Sequence, residues 1–168
     1  MDGPARTHTH DREAAMTFDT PNGTTGARQP KAGPVMRWLN RFAEKRIRKG
    51  GTAFGGMNAL VLITVGRKSG IERRTPVGWF PGEDGSWLIV ASAAGAPKNP
   101  AWYHNVAANP DKIRIELAGE THDVTAEQLH GEQRDRAWKQ IETAAPRFAD
   151  YQRKTDRQLP IIRLTLRR

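Results

Sequence analysis

Ala59-Leu60-Val61-Leu62-Ile63-Thr64-Val65 runs directly into Gly66-Arg67-Lys68-Ser69-Gly70-Ile71-Glu72-Arg73-Arg74. The first stretch reads as a strand, too apolar to be an edge strand with a wet face. The second packs four cations and a hydroxyl into a glycine-bracketed turn that leaves this strand. Such a turn aims backbone N–H groups, a Ser hydroxyl and Arg/Lys heads at one anion. It reads either as a solvated basic hairpin or as the seat of a phosphate-bearing ligand.

Downstream of the turn the pattern alternates in a β-rich way. Arg74–Phe80 is the next strand, Pro81-Gly82-Glu83-Asp84-Gly85 is a hairpin turn, and Trp87–Ser92 is its return strand. A loop of small residues follows, Ala93-Ala94-Gly95-Ala96-Pro97. Asn99-Pro100 opens a short helix that runs through Ala108, and Asn109-Pro110 ends it. Ile113–Leu117 and Glu120–Thr125 make a second hairpin around Ala118-Gly119. Glu132–Ala144 is an amphipathic helix that turns Ala137, Trp138 and Ile141 inward. Pro146 starts a further turn or helix carrying Phe148 and Tyr151, and Ile161–Leu166 is a closing strand. Short-turned strands with helices inserted late predict a mainly β fold with α additions, a small β-barrel.

Upstream, Val35, Trp38, Leu39, Phe42 and Ala43 follow helical spacing, with Arg37, Arg41, Lys45 and Arg48 mostly on the other side. This predicts a basic amphipathic helix over 35–49. It packs on the domain with solvated cations, or it rests on an anionic membrane face. Gly50-Gly51 and Gly55-Gly56 form a flexible joint behind it. Residues 1–34, poor in apolar side chains, read as a disordered tail, and its His8 and His10 as an incidental pair. The expected organisation is thus a tail over 1–34, a helix and linker over 35–50, and one barrel domain over 51–168.

The location of the charge says more than the net +9 carried by the 168 residues. Residues 35–50 hold six Lys/Arg against one Glu, and residues 67–74 hold four against one. Residues 1–34 are balanced, and 81–168 nearly so, at thirteen against twelve. Two compact foci suit a discrete anionic ligand plus an anionic surface. A nucleic-acid binder more often spreads its cations over a face. Cysteine is absent, which removes disulfides, thiolate nucleophiles and thiolate metal clusters. No run reaches membrane-spanning length and no secretory core is visible, so a cytoplasmic placement is expected.

Chemistry-bearing side chains are sparse. His104, His122 and His130 stand apart from any Ser or carboxylate in an informative pattern, and the carboxylates form no pair with acid–base spacing. A chain with a ligand seat and weak acid–base equipment fits one whose cofactor supplies the reactivity. The turn is not a phosphate-binding loop of the Walker type, nor a dinucleotide fingerprint, because the required Gly spacing is missing. Beside it stand the small residues Ser92–Gly95, which let a planar ligand approach the backbone closely. Asn99-Pro100-Ala101-Trp102-Tyr103-His104-Asn105 adds aromatics able to wall a pocket.

These elements, in this order, resemble the deazaflavin-dependent nitroreductase family. The matching stretches are Thr64 to Gly70, Arg73 with Thr75-Pro76, Val90-Ala91-Ser92, Gly95 to Asn105, Ala108-Asn109-Pro110, and Tyr151-Gln152 with Thr155-Asp156-Arg157 and Leu159-Pro160-Ile161. The resemblance implies a split β-barrel like that of flavin-mononucleotide oxidases and the deazaflavin coenzyme F-420 as cofactor. Flavin mononucleotide is the alternative cofactor, and a non-catalytic carrier the alternative role. It further implies that Arg67, Lys68, Ser69 and Arg73, helped by Arg74, hold the phosphate and polyglutamate end. The backbone of Ala91, Ser92 and Ala93 lies along the ring. Pro76, Ala101, Trp102, Tyr103 and Asn105 complete the coenzyme site, and Tyr151 and Ser92 stand at the reacting centre. The implied activity is hydride transfer from reduced F-420 to an aromatic acceptor, a quinone or a nitroaromatic. Ala93, Gly78 and Phe148 depart from the Lys, aromatic and Tyr that family nitroreductases can carry there. These departures weigh against nitroimidazole reduction and leave quinones open. A lipid quinone would give the basic helix a use, as a peripheral contact with the inner face of the membrane.

Overall fold

The computed structural model describes residues 18–28, 34–48 and 57–168. The expected Gly-rich joint and the His8/His10 pair lie outside these residues, as do the side chains of Val35, Trp38 and Leu39.

The apolar run becomes β1 (Ala59–Val65), and it is central in the way its composition requires. It pairs antiparallel with β2 (Glu72–Gly78) on one side and β5 (Ile113–Leu117) on the other. Side-chain alternation sends Leu60 and Leu62 into the main core. It sends Ala59, Val61 and Ile63 to the opposite face, under Ile47 of helix α1 (Pro34–Arg48). Both faces are therefore dry, which an alternating apolar/polar strand could not tolerate. Each fully buried aliphatic here contributes roughly 1.5–3 kcal/mol.

The remaining strands are β3 (Phe80–Pro81), β4 (Trp87–Val90), β6 (Glu120–Gln128) and β7 (Ile161–Leu166). They complete a seven-stranded sheet of order β2-β1-β5-β6-β7-β4-β3. Every pairing in it is antiparallel. The sheet curls into a half-barrel around Leu62, Ile89, Ile113, Ile115, Val124, Ile162 and Leu164. Helix α2 (Ala101–Ala108) plugs that core with Trp102, Tyr103 and Val106. On the outer face α3 (Gly131–Ala144) and α4 (Arg147–Lys154) cover Leu88, Val90 and Ile161 with Ala137, Ile141 and Phe148. The mainly β expectation with added helices matches this architecture. The strand predicted over Arg74–Phe80 starts two residues earlier and breaks at Trp79, where β3 begins a separate pairing with β4.

Residues 18–28 correct the expected tail. Gly23 and Ala27 donate backbone N–H groups to Pro97 O (2.7 Å) and Gly95 O (2.8 Å). Phe18 packs edge-on against Tyr103, and the Thr24 and Thr25 amides cap the Asp156 carboxylate at 2.9 and 3.1 Å. Apart from Phe18, the segment is held by polar bonds to distant residues, so its composition gave no sign of order. The Thr24 hydroxyl and those amides hold the Asp156 carboxyl down at a pKa of about 2.

Candidate functional site

The cationic turn closes the β1–β2 hairpin. The Gly66 N–H donates to Ile71 O (2.8 Å) and the Gly70 N–H to Gly66 O (2.8 Å). Gly70 takes φ +67°, a left-handed position open to glycine at little cost. The Ser69 Oγ accepts the Ile71 N–H at 3.2 Å, and the Arg67 N–H is pinned to Asn105 Oδ1 at 3.0 Å. That last bond ties the turn to α2. Between them lies a cavity of about 350 Å³ lined by Gly66, Arg67, Lys68, Ser69, Arg73, Ala101, His104 and Asn105. Among the described residues, Arg67, Lys68 and Arg73 have no carboxylate partner. Burial, and the charge of Arg67, hold the His104 imidazole below its usual pKa, so it stays neutral beside the cations.

A second cleft of about 250 Å³ is built on two of the same elements, strand β2 and the start of α2, through different residues. Pro76, Val77 and Gly78 continue the strand beyond Arg73, and Pro100 and Trp102 flank Ala101. The opposite wall is Ser92, Ala93 and Ala94 with Phe148, Tyr151, Arg147 and Met57. The small-residue loop is strained. Ala93 and Ala94 sit at φ 45° and 53°, in the left-handed region that costs a residue with a Cβ roughly 1–2 kcal/mol. A Cβ on Gly95 would come within 2.7 Å of Tyr151 O, so glycine there lets α4 close against the loop.

Arg157 holds this loop. It is 4% exposed, and its guanidinium donates to Ala91 O, Ser92 O and Ala96 O at 2.8–2.9 Å and to Asn99 Oδ1 at 2.9 Å. Burial lowers its pKa, yet a guanidinium stays charged in proteins. One buried cation thus satisfies the carbonyls of Ala91 and Ala96, and adds a second bond to Ser92 O, which also accepts the Gly95 N–H at 2.9 Å; a buried unmade hydrogen bond costs about 1–3 kcal/mol.

Of the residues singled out in the sequence, Arg67, Lys68, Ser69, Arg73, Ala101 and Asn105 converge on the first cavity. Pro76, Ser92, Ala93, Trp102 and Tyr151 converge on the second. Three expectations are corrected. Arg74 points to the other face of β2, where it pairs with Glu72 and Glu116, because successive residues of a strand alternate. Ala91 is fully buried, its N–H bonded to Pro160 O and its carbonyl to Arg157, and it lines neither of the two cavities. Tyr103 is a core residue. Its hydroxyl donates to Gln128 Oε1 at 2.6 Å and accepts the Thr20 N–H, and burial raises its pKa. The sequence reading assigned no role to Arg147, Met57 or Val77, nor to the clamp formed by Arg157. The i, i+4 spacing of Arg147 and Tyr151 on one helix was the available signal for the first of these.

The curled half-barrel sheet, with a cationic cavity and a second cleft on the same strand and helix, places the chain among reductases of split-barrel type. The family profile described as F420H(2)-dependent quinone reductase matches residues 35–165, and the chain belongs to that family. It is an F420H2-dependent oxidoreductase, and its coenzyme is F-420 rather than the flavin mononucleotide alternative. An F420H(2)-dependent quinone reductase of Mycobacterium tuberculosis (strain H37Rv) is 34% identical over 149 residues, 79% of this chain and 99% of the relative. A solved F420-H2 dependent reductase (FDR-A) is 39% identical, covers 64% of this chain and 93% of its own, and superposes with a TM-score of 0.57. A further solved chain, described as a domain-swapped dimer, is 36% identical over 78% of this chain and 99% of its own, with a TM-score of 0.58.

Proposed function

We propose that the cavity of Arg67, Lys68, Ser69 and Arg73 holds the acidic tail of F-420, that the adjoining cleft holds its ring, and that a quinone enters beside Tyr151. The observation that carries this is the cluster of three cations without acid partners among the described residues around a single cavity, with a second cleft of mostly small and apolar side chains farther along the same strand and helix. A multiply anionic phosphate and glutamate tail satisfies that excess charge, and Arg groups bond such oxygens two at a time. The charge pattern fits the coenzyme's acidic end and the cleft's lining fits its ring.

When bound and reduced, the coenzyme supplies a hydride. The chain's own contribution is placement and environment. Arg157 fixes the backbone of Ser92–Ala94 that the ring rests on, and the Arg67 N–H to Asn105 bond sets the spacing between tail pocket and cleft. Trp102, Phe148 and Met57 exclude water, which strengthens every polar contact inside. Tyr151 and Ser92 supply the hydroxyls of the cleft. The Tyr151 hydroxyl steadies the acceptor oxygen and holds a proton close to it.

The acceptor's partner surface belongs to the same reading. Helix α1 exposes Arg37, Arg41, Lys45 and Arg46 around Phe42, which is 57% exposed. Cations ringing an aromatic suit the headgroup layer of an anionic membrane, from which a lipid quinone is drawn. No helix among the described residues is long and apolar enough to cross a membrane, so this contact is peripheral. Co-sedimentation with anionic vesicles, lost in high salt and absent with zwitterionic vesicles, is the expected result.

The central test is a titration with F-420 followed by mixing of the reduced complex with menadione while the deazaflavin absorbance is followed. Micromolar binding and rapid reoxidation are expected. Failure to bind at micromolar coenzyme would end this assignment of the two cavities.

A further inference from the structure

The ring cleft carries one charged side chain that the tail pocket does not use. Arg147 is the first residue of α4 and lines the cleft beside Tyr151, Phe148, Ser92 and Met57. Among the described residues its side chain makes no ion pair and no hydrogen bond. The acid of its own helix, Asp150, pairs with Arg153 instead, and no carboxylate lines the cleft. Helix stability does not account for the position either. A cation in the first turn opposes the helix dipole, an arrangement that costs typically about 0.3–1 kcal/mol. The i, i+4 spacing puts Arg147 on the helical face that carries Tyr151. A guanidinium and a phenol hydroxyl therefore face the same apolar cleft from a single helix.

We propose that Arg147 is an acceptor-binding residue: it bonds the quinone oxygen that becomes negative during reduction, and so makes anionic hydroxyquinones a preferred ligand class of the cleft. The inference rests on the quinone-reductase reading above. When a quinone takes a hydride, a hydrogen arrives with both bonding electrons. The two C=O bonds become C–O bonds, one oxygen keeps the hydrogen, and the other carries a full negative charge. The quinone is reduced, F420H2 is oxidised, and a proton from water later neutralises the oxyanion. A permanently charged guanidinium facing that oxygen favours the charged product over the neutral reactant. Tyr151 donates a hydrogen bond to the same region but brings no net charge, so the two residues are not redundant.

The test compares two naphthoquinones of the same ring system on the full chain. Lawsone is an anionic hydroxynaphthoquinone at neutral pH, and menadione is its neutral methyl counterpart. Binding without coenzyme is read by calorimetry and by quenching of tryptophan fluorescence. The wild-type protein is expected to bind lawsone about tenfold more tightly than menadione, the size of a hydrogen bond to a charged group. Arg147→Gln is expected to remove that preference, weakening lawsone binding about tenfold and menadione binding much less, with the thermal midpoint in place. Arg147→Lys keeps the charge and retains part of the preference, which separates charge from shape. F-420 affinity is expected to stay the same in both variants. Unchanged lawsone affinity in Arg147→Gln overturns the proposal, and so does a variant that loses F-420 instead, since the guanidinium would then serve the coenzyme. A wild-type protein that fails to take F-420 refutes the underlying cavity assignment. One that takes F-420 and shows no charge preference refutes the role of Arg147 alone.

Discussion

Arg73 and Arg74 are adjacent in β2 and meet opposite electrostatic surroundings. Arg74 joins Glu72, Arg114 and Glu116 in a network on the outer face of the β2-β1-β5 edge, and its hydrogen bond to Glu116 raises its pKa. Arg73 faces the cavity with Arg67 and Lys68, where no acid answers it among the described residues. A half-exposed balanced network contributes little net stability, since surface ion pairs are worth about 0–1 kcal/mol. An unbalanced cluster is mildly destabilising until an anion arrives, so binding and stability become linked there. Charge left uncompensated by the protein is thus a sharper pointer to a ligand site than charge density is. Arg157 shows a third fate, a guanidinium buried and used on three backbone carbonyls and the Asn99 side chain.

The largest expected effect sharpens that third case. Arg157→Leu strands the carbonyls of Ala91 and Ala96 beside a strained turn, removes one of the two bonds to Ser92 O, and should cost about 3 kcal/mol in denaturant unfolding. Arg157→Lys keeps the charge with fewer placed donors and should lose less. If Arg157→Leu unfolded like the wild type, the loop would owe its shape to something other than the clamp.

Next comes the neighbouring pair itself. Arg73→Ala should weaken F-420 binding about tenfold, the range of a charge-assisted hydrogen bond, with stability held within about 0.5 kcal/mol. Arg74→Ala should leave coenzyme affinity unchanged and lower stability by about 1 kcal/mol at most. Equal losses of affinity in the two variants would break the comparison at its root.

The smallest effect is a titration. Burial and Arg67 depress the pKa of His104 in the folded state, so the unfolded chain takes up a proton first as the pH drops. The stability attached to this group is therefore full above the unfolded imidazole pKa, near 6.5. It declines as the pH falls below that value and levels off once the folded protein also titrates. Arg67→Ala should move the His104 pKa upward, part of the way to its usual value, as followed by NMR of the ring protons. An unmoved His104 would place Arg67 farther from the cavity than the structure does.

How much of this was legible beforehand depended on the range of the interaction. The two dry faces of β1 were readable because Leu60–Ile63 left no position for water on either side. The cationic turn was readable because four Lys/Arg and a Ser fall within the nine residues from Gly66 to Arg74. The order of residues 18–28 was not readable, since it rests on bonds from Thr20, Thr24 and Thr25 to Tyr103 and Asp156, which lie 83 to 132 residues away. Tyr103 illustrates the same limit. An aromatic on a short helix suits a pocket wall and a core equally, and only the packing of α2 under the sheet decided for the core.

What the sequence determined on its own was local: strand periodicity, the composition of the turn, the small residues at Ser92–Gly95, and the motif set that names the family. These follow from backbone propensity and from solvent's preference for polar groups, which act over a few residues. The tertiary structure decided which cations remain free, which face Arg74 takes, and that Arg157 and Arg147 serve the loop and the cleft. Those outcomes depend on which groups from distant segments meet in space, and hydrogen-bonding partners and charge balance exist only once the sheet has curled.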